Sequence, residues 1–456
     1  MIVFLETLGC SRNQVDSEIM LGKLVGAGHT ISHDPALARV IIVNTCGFIS
    51  TASDEAVDVI LEMAKFKKTG VCEKLIATGC LTQRYKDDKN LVSALPEVDA
   101  FLGTGTCEQI VEAVTSKEIK PLFFFPDPNK RPFQDISDLT DLTDLTGQRE
   151  LTTDHFAYIK VSEGCSRKCT YCIIPQLRGI QRSRPEDDIC REARNLVVRG
   201  VKEIILTAEN TTDYGQDFQD KTGFEHVLIS LAATLDRDRF KGHVRIRFLY
   251  THPNSLTAPV IKAVKEHKNI CSYYDVPIQH AASNILKKMG RPYTNEDLYA
   301  LFKTIRKIDP DAVLRTTLIV GFPGESEEDF KILMKFIKDI RFDHLGVFTY
   351  SDSDDLKSHL LKKHVPQEIA EKRHDMIMAA QADISKKVNE NLVGKTFEVL
   401  VEENPDQGVY LGRTMFQAPQ VDGVTFIYAN GLEIGTFVNV RITQGFEYDI
   451  AGEIQE

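Results

Sequence analysis

The chain reads as an α/β multidomain protein: an N-terminal parallel α/β sheet domain, a central partial (β/α)6 TIM-like barrel, and a small OB-like β-barrel at the C-terminal end. Three observations predict this. Short apolar runs alternate with amphipathic helical segments over residues 1–130 and again over 151–365, the pattern of parallel strands joined by helices. Between them Asp138-Leu-Thr140 repeats as Asp141-Leu-Thr143 and Asp144-Leu-Thr146, a low-complexity run that reads as an acidic surface linker over 131–150. Beyond a connecting helix over 366–392, residues 393–456 change to short alternating strands with turn residues, which suits a small closed barrel. A chain of 456 residues is long enough for several cores.

In order, strands are expected at Ile2–Leu5, Val40–Val43, Lys74–Ala77, Val98–Leu102 and Leu122–Phe125, with helical patterns at Ser17–Gly26, Ser53–Lys65 and Glu108–Val114. The second α/β stretch offers strands at Phe156–Val161, Glu203–Thr207, Val244–Leu249, Ser272–Val276, Val313–Val320 and Gly346–Tyr350. Helices fall between them at Glu186–Arg199, Thr257–Glu266, Asn295–Lys307 and Glu327–Ile340. A polar helix opens at Pro366 and runs to about Asn391, and the last strands are Phe397–Val401, Val424–Tyr428, Phe437–Ile442 and Tyr448–Ala451.

The net charge of −11 argues against a protein that holds nucleic acid mainly by its phosphates. No apolar run approaches the roughly 18 residues that span a bilayer, and Met1-Ile-Val-Phe-Leu5 reads as a first strand rather than a signal peptide. Gly103-Thr-Gly105 is only a fragment of a dinucleotide loop. No His-Glu-x-x-His, Gly-x-Ser-x-Gly or complete phosphate loop occurs, which removes support for those hydrolytic and phosphate chemistries.

Cysteine usage carries the chemistry. Ten cysteines without an export signal suit metal binding better than disulfides. Cys165, Cys169 and Cys172 lie within eight positions after the first barrel strand. Three thiols where four ligands are usual leave one metal corner open for substrate or cofactor. Cys10, Cys46 and Cys80 each follow a strand of the first domain, and parallel strands aim such loops at one edge. Cys72, Cys107, Cys190 and Cys271 lack such a context and read as structural.

The spacing Cys165-x3-Cys169-x2-Cys172, with Tyr171 before the last cysteine, resembles the radical S-adenosylmethionine superfamily. Together with Cys10, Cys46 and Cys80 it makes the chain resemble, over nearly its full length, the methylthiotransferase family within it. The resemblance implies a radical-SAM barrel, a C-terminal TRAM domain and two 4Fe–4S clusters. One cluster would sit on Cys165, Cys169 and Cys172 and the other on Cys10, Cys46 and Cys80. It implies S-adenosyl-L-methionine as cofactor, with Tyr171, Glu209 and the turn Gly321, Pro323 and Gly324 as candidates for seating it. Glu209-Asn210 departs from the family's Gln-Asp or Gln-Asn pair, and Tyr350-Ser-Asp-Ser-Asp-Asp355-Leu lacks its Glu-Gly-Thr continuation.

Within the family, one branch modifies a tRNA adenosine and another an aspartate of the small-subunit ribosomal protein S-twelve. Asp16-Ser17-Glu18-Ile-Met20, Asn44-Thr-Cys46-Gly-Phe48, Gln417-Ala-Pro419-Gln-Val421-Asp422-Gly423 and Tyr448-Asp449 resemble the second. From Val393 onward, three basic residues (Lys395, Arg413 and Arg441) face ten carboxylates, a sign suited to a basic protein rather than an RNA backbone. The expectation is therefore a cytoplasmic methylthiotransferase acting on a basic ribosomal protein, free or in the ribosome. It would need an external electron donor and a sulfur donor, and no membrane.

Overall fold

The computed structural model describes residues 1–88, 90–118, 121–130, 149–236 and 243–455. The Asp-Leu-Thr repeats, and most of the expected linker, lie outside the described residues. The end of that segment is no surface linker: Arg149 is buried, its guanidinium donating to Glu18 and Glu192 at 2.6 Å each. A charge placed that deep is retained only where it is paired.

Strands β1 (Ile2–Thr7), β2 (Thr30–Ile31), β3 (Val40–Thr45), β4 (Lys74–Gly79), β5 (Ala100–Leu102) and β6 (Leu122–Phe124) form one parallel sheet ordered β2-β1-β3-β4-β5-β6. Every residue of β3 is buried, as a strand covered on both faces requires. One face packs on helix Ser50–Ala64 through Ala56 and Ile60, the other on helix Ser11–Gly26 through Val15, Ile19 and Leu24. β2 was not legible in the sequence because two residues cannot show alternation. The chain leaves β1 toward β2 on one side and returns as β3 on the other. The topological switch point, where sheets of this kind bind ligands, therefore lies just beyond Thr7 and Thr45.

The second unit is an open crescent of six parallel strands: β7 (Phe156–Lys160), β10 (Glu203–Thr207), β11 (Arg245–Phe248), β12 (Tyr273–Asp275), β13 (Val313–Val320) and β14 (His344–Thr349). Ladders β11-β10-β7 and β12-β13-β14 meet through a bridge between Ile246 and Ile270. A short antiparallel pair, β8 (Ser162–Glu163) with β9 (Arg182–Ser183), brackets the cysteine motif. Helices Asn295–Ile308 and Glu327–Ile340 start on reciprocal capping boxes, Thr294 with Asp297 and Ser326 with Asp329, each satisfying two otherwise orphaned backbone donors.

What closes the open side is helix Ser11–Gly26. Its Val15 and Ile19 join one core with Tyr158, Ile205, Leu249 and Tyr273 of the crescent. Its polar face is also buried: Ser11 meets Thr207 at 2.9 Å, Asp16 accepts from Lys160 at 2.5 Å, and Glu18 receives Arg149. The Asp16-Ser17-Glu18 motif is thus the docking face between the two units.

The C-terminal barrel closes in the order β15-β16-β17-β19-β18, from β15 (Thr396–Asp406), β16 (Val409–Thr414), β17 (Thr425–Tyr428), β18 (Phe437–Gly445) and β19 (Ile450–Ile454). The additional strand is β16, whose Gly412 interrupts the apolar alternation. The barrel sits where the crescent's strands start. Arg245 donates to the carbonyls of Arg413 and Glu398, Arg413 pairs with Glu203 at 2.9 Å, and Tyr273 donates to Asp422 at 2.6 Å. Helix Gln367–Glu390 leads into it. Among the described residues no helix is long and apolar enough to cross a membrane.

Candidate active site: two facing cysteine trios

All ten cysteines are free thiols. Cys46 and Cys80 stand directly after β3 and β4, and Cys10 follows β1 after Leu8 and Gly9, at the ends of three neighbouring strands of one sheet. Gly9 adopts φ +93°, and a Cβ there would come within 2.9 Å of the Cys46 Cβ. Only glycine therefore lets the first and second cysteines approach this closely. Cys165, Cys169 and Cys172 fill the loop after β8, held by Cys165 N to Gly179 O (3.0 Å), Thr170 N to Met289 O (3.0 Å) and Ser358 N to Thr170 O (3.0 Å). Gly164, at φ +78°, packs against the backbone of Gly179 and Ile180, leaving no room for a side chain.

The two trios face each other across the domain seam. Cys80 shares a small core with Ile173, Leu177 and Leu356, and Ile173 directly follows Cys172. Arg178, almost fully buried, reaches back across the seam. It donates to Asn13 at 2.7 Å and Glu163 at 2.6 Å, approaches Asp16 at 3.2 Å, and lies 3.8 Å from the Cys80 sulfur. Arg12 reaches the other way, donating to Ala208 O at 3.1 Å, lying 3.4 Å from Glu209 and stacking on Tyr250.

Burial pushes the Cys80 and Cys172 thiols up to about 12 and Cys165 up to about 11, and raises Cys46. Burial acts on Cys10 too, but Arg12 and Arg178 together hold it below its ordinary value. Thiols so buried give up their protons to a metal rather than to water. Among the described residues no three ligating side chains converge tightly enough for a single ion. A four-iron cluster binds its thiolates at separate corners, and each trio offers three thiols, one corner short of a full set.

Tyr171 and the Gly321–Gly324 turn come together: Tyr171 packs edge-on to Phe322, and Glu325 secures the turn by accepting from the backbone of Gly321 and Phe322. Arg291 donates to the Tyr171 hydroxyl at 3.0 and 2.6 Å. Pro323 lies inside the turn, and Gly324 meets Lys288. Glu209 lies elsewhere, buried in the seam between Arg12 and Arg178 with neither carboxylate oxygen hydrogen-bonded. Burial, then Glu163, raises its pKa. The departing loop at Asp352–Asp355 clasps the first domain, Asp355 accepting both arms of Arg84 at 2.7 Å. Sequence reasoning missed Arg12, Asn13 and Arg178. The available signal was a charged residue inside the apolar segment Ile173-Ile-Pro-Gln-Leu-Arg178.

His252, which follows β11, is buried, with Nε2 unpartnered and Nδ1 accepting from Asn254 N. Burial, then Arg291 and Arg167, lower its pKa to about 2. The unfolded chain protonates this histidine below about pH 6.5 while the folded chain does not. Stability is therefore lost as pH falls below that value, at up to about 1.4 kcal/mol per pH unit. His252→Asn should remove this slope, read from denaturant unfolding of the apoprotein between about pH 6.5 and 4.5; equal slopes would contradict it.

Comparison with known proteins follows the same divisions. Residues 2–103 match the uncharacterized protein family UPF0004, 159–337 the radical SAM superfamily, and 393–454 the TRAM domain. Among solved structures, the radical S-adenosylmethionine methyltransferase TsrM from Kitasatospora setae shares the fold with TM-score 0.53 and 12% identity, over 76% of this chain and 72% of that one. Curated relatives named "Ribosomal protein uS12 methylthiotransferase RimO" are 47% identical in Desulfosudis oleivorans, over 100% of both chains. The Clostridioides difficile relative of that name is 43% identical over 99% of this chain and 98% of its own. Identity of this extent over the full length settles the assignment: the chain belongs to the RimO family of radical S-adenosylmethionine methylthiotransferases.

Proposed function

We propose that this enzyme replaces a hydrogen on the β-carbon of an aspartate in ribosomal protein uS12 by a methylthio group. The observation that carries the reading is the pair of cysteine trios meeting at one seam, where Cys80 packs with Ile173 next to Cys172 and Arg178 lies against the Cys80 sulfur. Membership of the family brings S-adenosylmethionine and a 4Fe–4S cluster. The finer assignment gives that cluster Cys165, Cys169 and Cys172, and a second 4Fe–4S cluster Cys10, Cys46 and Cys80. Residues 1–130 then serve the second cluster, 151–365 the radical chemistry, and 393–456 the partner.

A β-C–H next to an ionised carboxylate is too weakly acidic for a general base at neutral pH. When bound, S-adenosylmethionine and its cluster supply one-electron chemistry that removes such a hydrogen, and the second cluster supplies sulfur. The chain's own residues place the parts. Tyr171, braced by Arg291, and the turn Gly321, Pro323 and Gly324 form the seat for S-adenosylmethionine. Glu209 stands apart from this seat, its carboxylate held in the seam between Arg12 and Arg178. Helix Ser11–Gly26 keeps water out of the open side of the crescent, which protects a reactive intermediate.

The acidic C-terminal barrel lies at the strand starts, roughly 20 Å from the cysteines for a strand of about six residues. That exceeds the Debye length of about 8 Å at physiological salt, so the barrel orients a basic partner extending along the molecule rather than acting on the reacting carbon. An external electron donor and a sulfur donor complete the cycle.

The test is anaerobic incubation of the reconstituted enzyme with uS12, free and in the small subunit, and in parallel with tRNA. Mass spectrometry should find the methylthio increment on a uS12 aspartate. An increment on tRNA alone would overturn the assignment in favour of the adenosine-modifying branch.

A further inference from the structure

The radical chemistry proposed above needs an electron from outside, and the surface around Cys165–Cys172 bears on where it enters. Each trio has one buried cysteine, Cys80 or Cys165, and two half-buried ones. The Cys165–Cys172 loop reaches the surface, with Ser166 and Lys168 exposed beside the half-buried Cys169 and Cys172. Thr170 ties three segments around this loop. Its backbone N–H donates to Met289 O at 3.0 Å, its hydroxyl donates to Lys288 O at 2.9 Å, and its carbonyl accepts from Ser358 N at 3.0 Å. Gly324 N donates to Lys363 O at 2.7 Å, closing the ring.

These segments bring together Lys168, Lys287, Lys288, Lys357, Lys362 and Lys363, all exposed. Among the described residues none of the six pairs with a carboxylate, although Lys288 also donates to Gly324 O. The neighbouring acids are largely occupied: Asp352 accepts from Tyr350 and faces His359 and His364, and Asp355 holds Arg84. Asp354 remains. In a chain of net charge −11, six unpaired lysines at one place make a local field of opposite sign, and such a field steers a partner of complementary charge.

We propose that this lysine surface docks a small acidic one-electron carrier protein. The inference rests on the radical function proposed above and names the partner of that site. An electron crosses protein only over a short distance, so the carrier must dock where the cysteine loop is thinly covered. An RNA contact has no such reason to be centred there. The carrier's flavin or iron–sulfur centre is oxidised by one electron, and the cluster on Cys165, Cys169 and Cys172 is reduced by one. Encounters of this kind use small, transient interfaces, which a ring of lysines suits better than an apolar patch.

The experiment uses the reconstituted full chain and a flavodoxin-type carrier of net negative charge. Lys287→Glu, Lys357→Glu and Lys362→Glu are combined, and the corresponding triple glutamine variant serves as a milder second form. Binding of the carrier by fluorescence anisotropy should weaken at least about tenfold at low salt in the glutamate variant and less in the glutamine one. The wild type's loss of affinity toward roughly 0.5 M salt should flatten. Cleavage of S-adenosylmethionine driven by dithionite should stay at the wild-type rate, while carrier-driven cleavage falls with the affinity. Unchanged carrier binding would overturn the proposal. So would unchanged carrier binding joined to lost binding of the small ribosomal subunit, which would assign the surface to RNA. Absence of dithionite-driven cleavage in the wild type would instead count against the radical function, and the binding measurement would stand apart from it.

Discussion

A triple alanine variant at Cys10, Cys46 and Cys80 should keep about four of about eight irons per reconstituted chain if each trio holds one four-iron cluster. It should still cleave S-adenosylmethionine reductively and transfer no detectable methylthio group to uS12, a loss of at least about a thousandfold, or about 4 kcal/mol at the barrier. The separation follows from how each trio is held. The Cys165–Cys172 loop is fastened by Gly179, Met289 and Ser358, all from its own half of the molecule. The other trio rests on the ends of β1, β3 and β4, whose ladder does not involve sulfur. Cysteine to alanine removes small side chains, of which only Cys80 is fully enclosed, so folding should survive. Full iron content in the variant would remove the second cluster, and loss of cleavage would show the trios to be interdependent.

Much of this arrangement is legible in the sequence because parallel topology converts spacing into position. Cys10, Cys46 and Cys80 are far apart along the chain, yet each follows a strand, and the sheet places those strand ends side by side. The same rule placed Cys165 after the first strand of the crescent. Cys72, Cys107, Cys190 and Cys271 are all buried, and Cys107 follows the loop after β5, where its thiol lies against Asp16 O. What stayed hidden depends on how separate units dock. Nothing in residues 393–456 says which end of the crescent they cover; that is decided by Arg245, Arg413, Glu203 and Asp422 pairing across the seam. Likewise Glu209 stands out in the sequence as a departure, but its partners Arg12 and Arg178 come from opposite sides of the interface. The Asp-Ser-Glu motif was read as a mark of resemblance, whereas its physical role is to carry buried charges that register one unit on the other.

Replacing Arg178 by methionine should destabilise the apoprotein by about 3–5 kcal/mol, the usual cost of removing one partner from a buried ionic network. The volume is nearly kept, so the loss is electrostatic. Asp16, Glu163 and Glu209 all face this guanidinium, and only Lys160 and Arg12 remain to compensate them. Arg178→Lys restores the charge but not the fork that serves Asn13 and Glu163 together, so it should recover only part of the loss. The acid limb gives an independent check. Burial opposes ionisation of Glu163, but Lys160 and Arg178 outweigh it and hold its pKa well below the usual carboxylate range. Its contribution is therefore present above the unfolded value of about 4.3 and lost as pH falls through the lower folded value. Methionine at this position lets the folded pKa rise, so the deficit should be full at pH 7 and narrow below about pH 4.3. A deficit independent of pH would mean that Arg178 acts through packing alone. Because the same side chain lies against Cys80, the variant should also hold less iron on the N-terminal trio, measured with Cys165, Cys169 and Cys172 replaced by alanine so that only that trio can load.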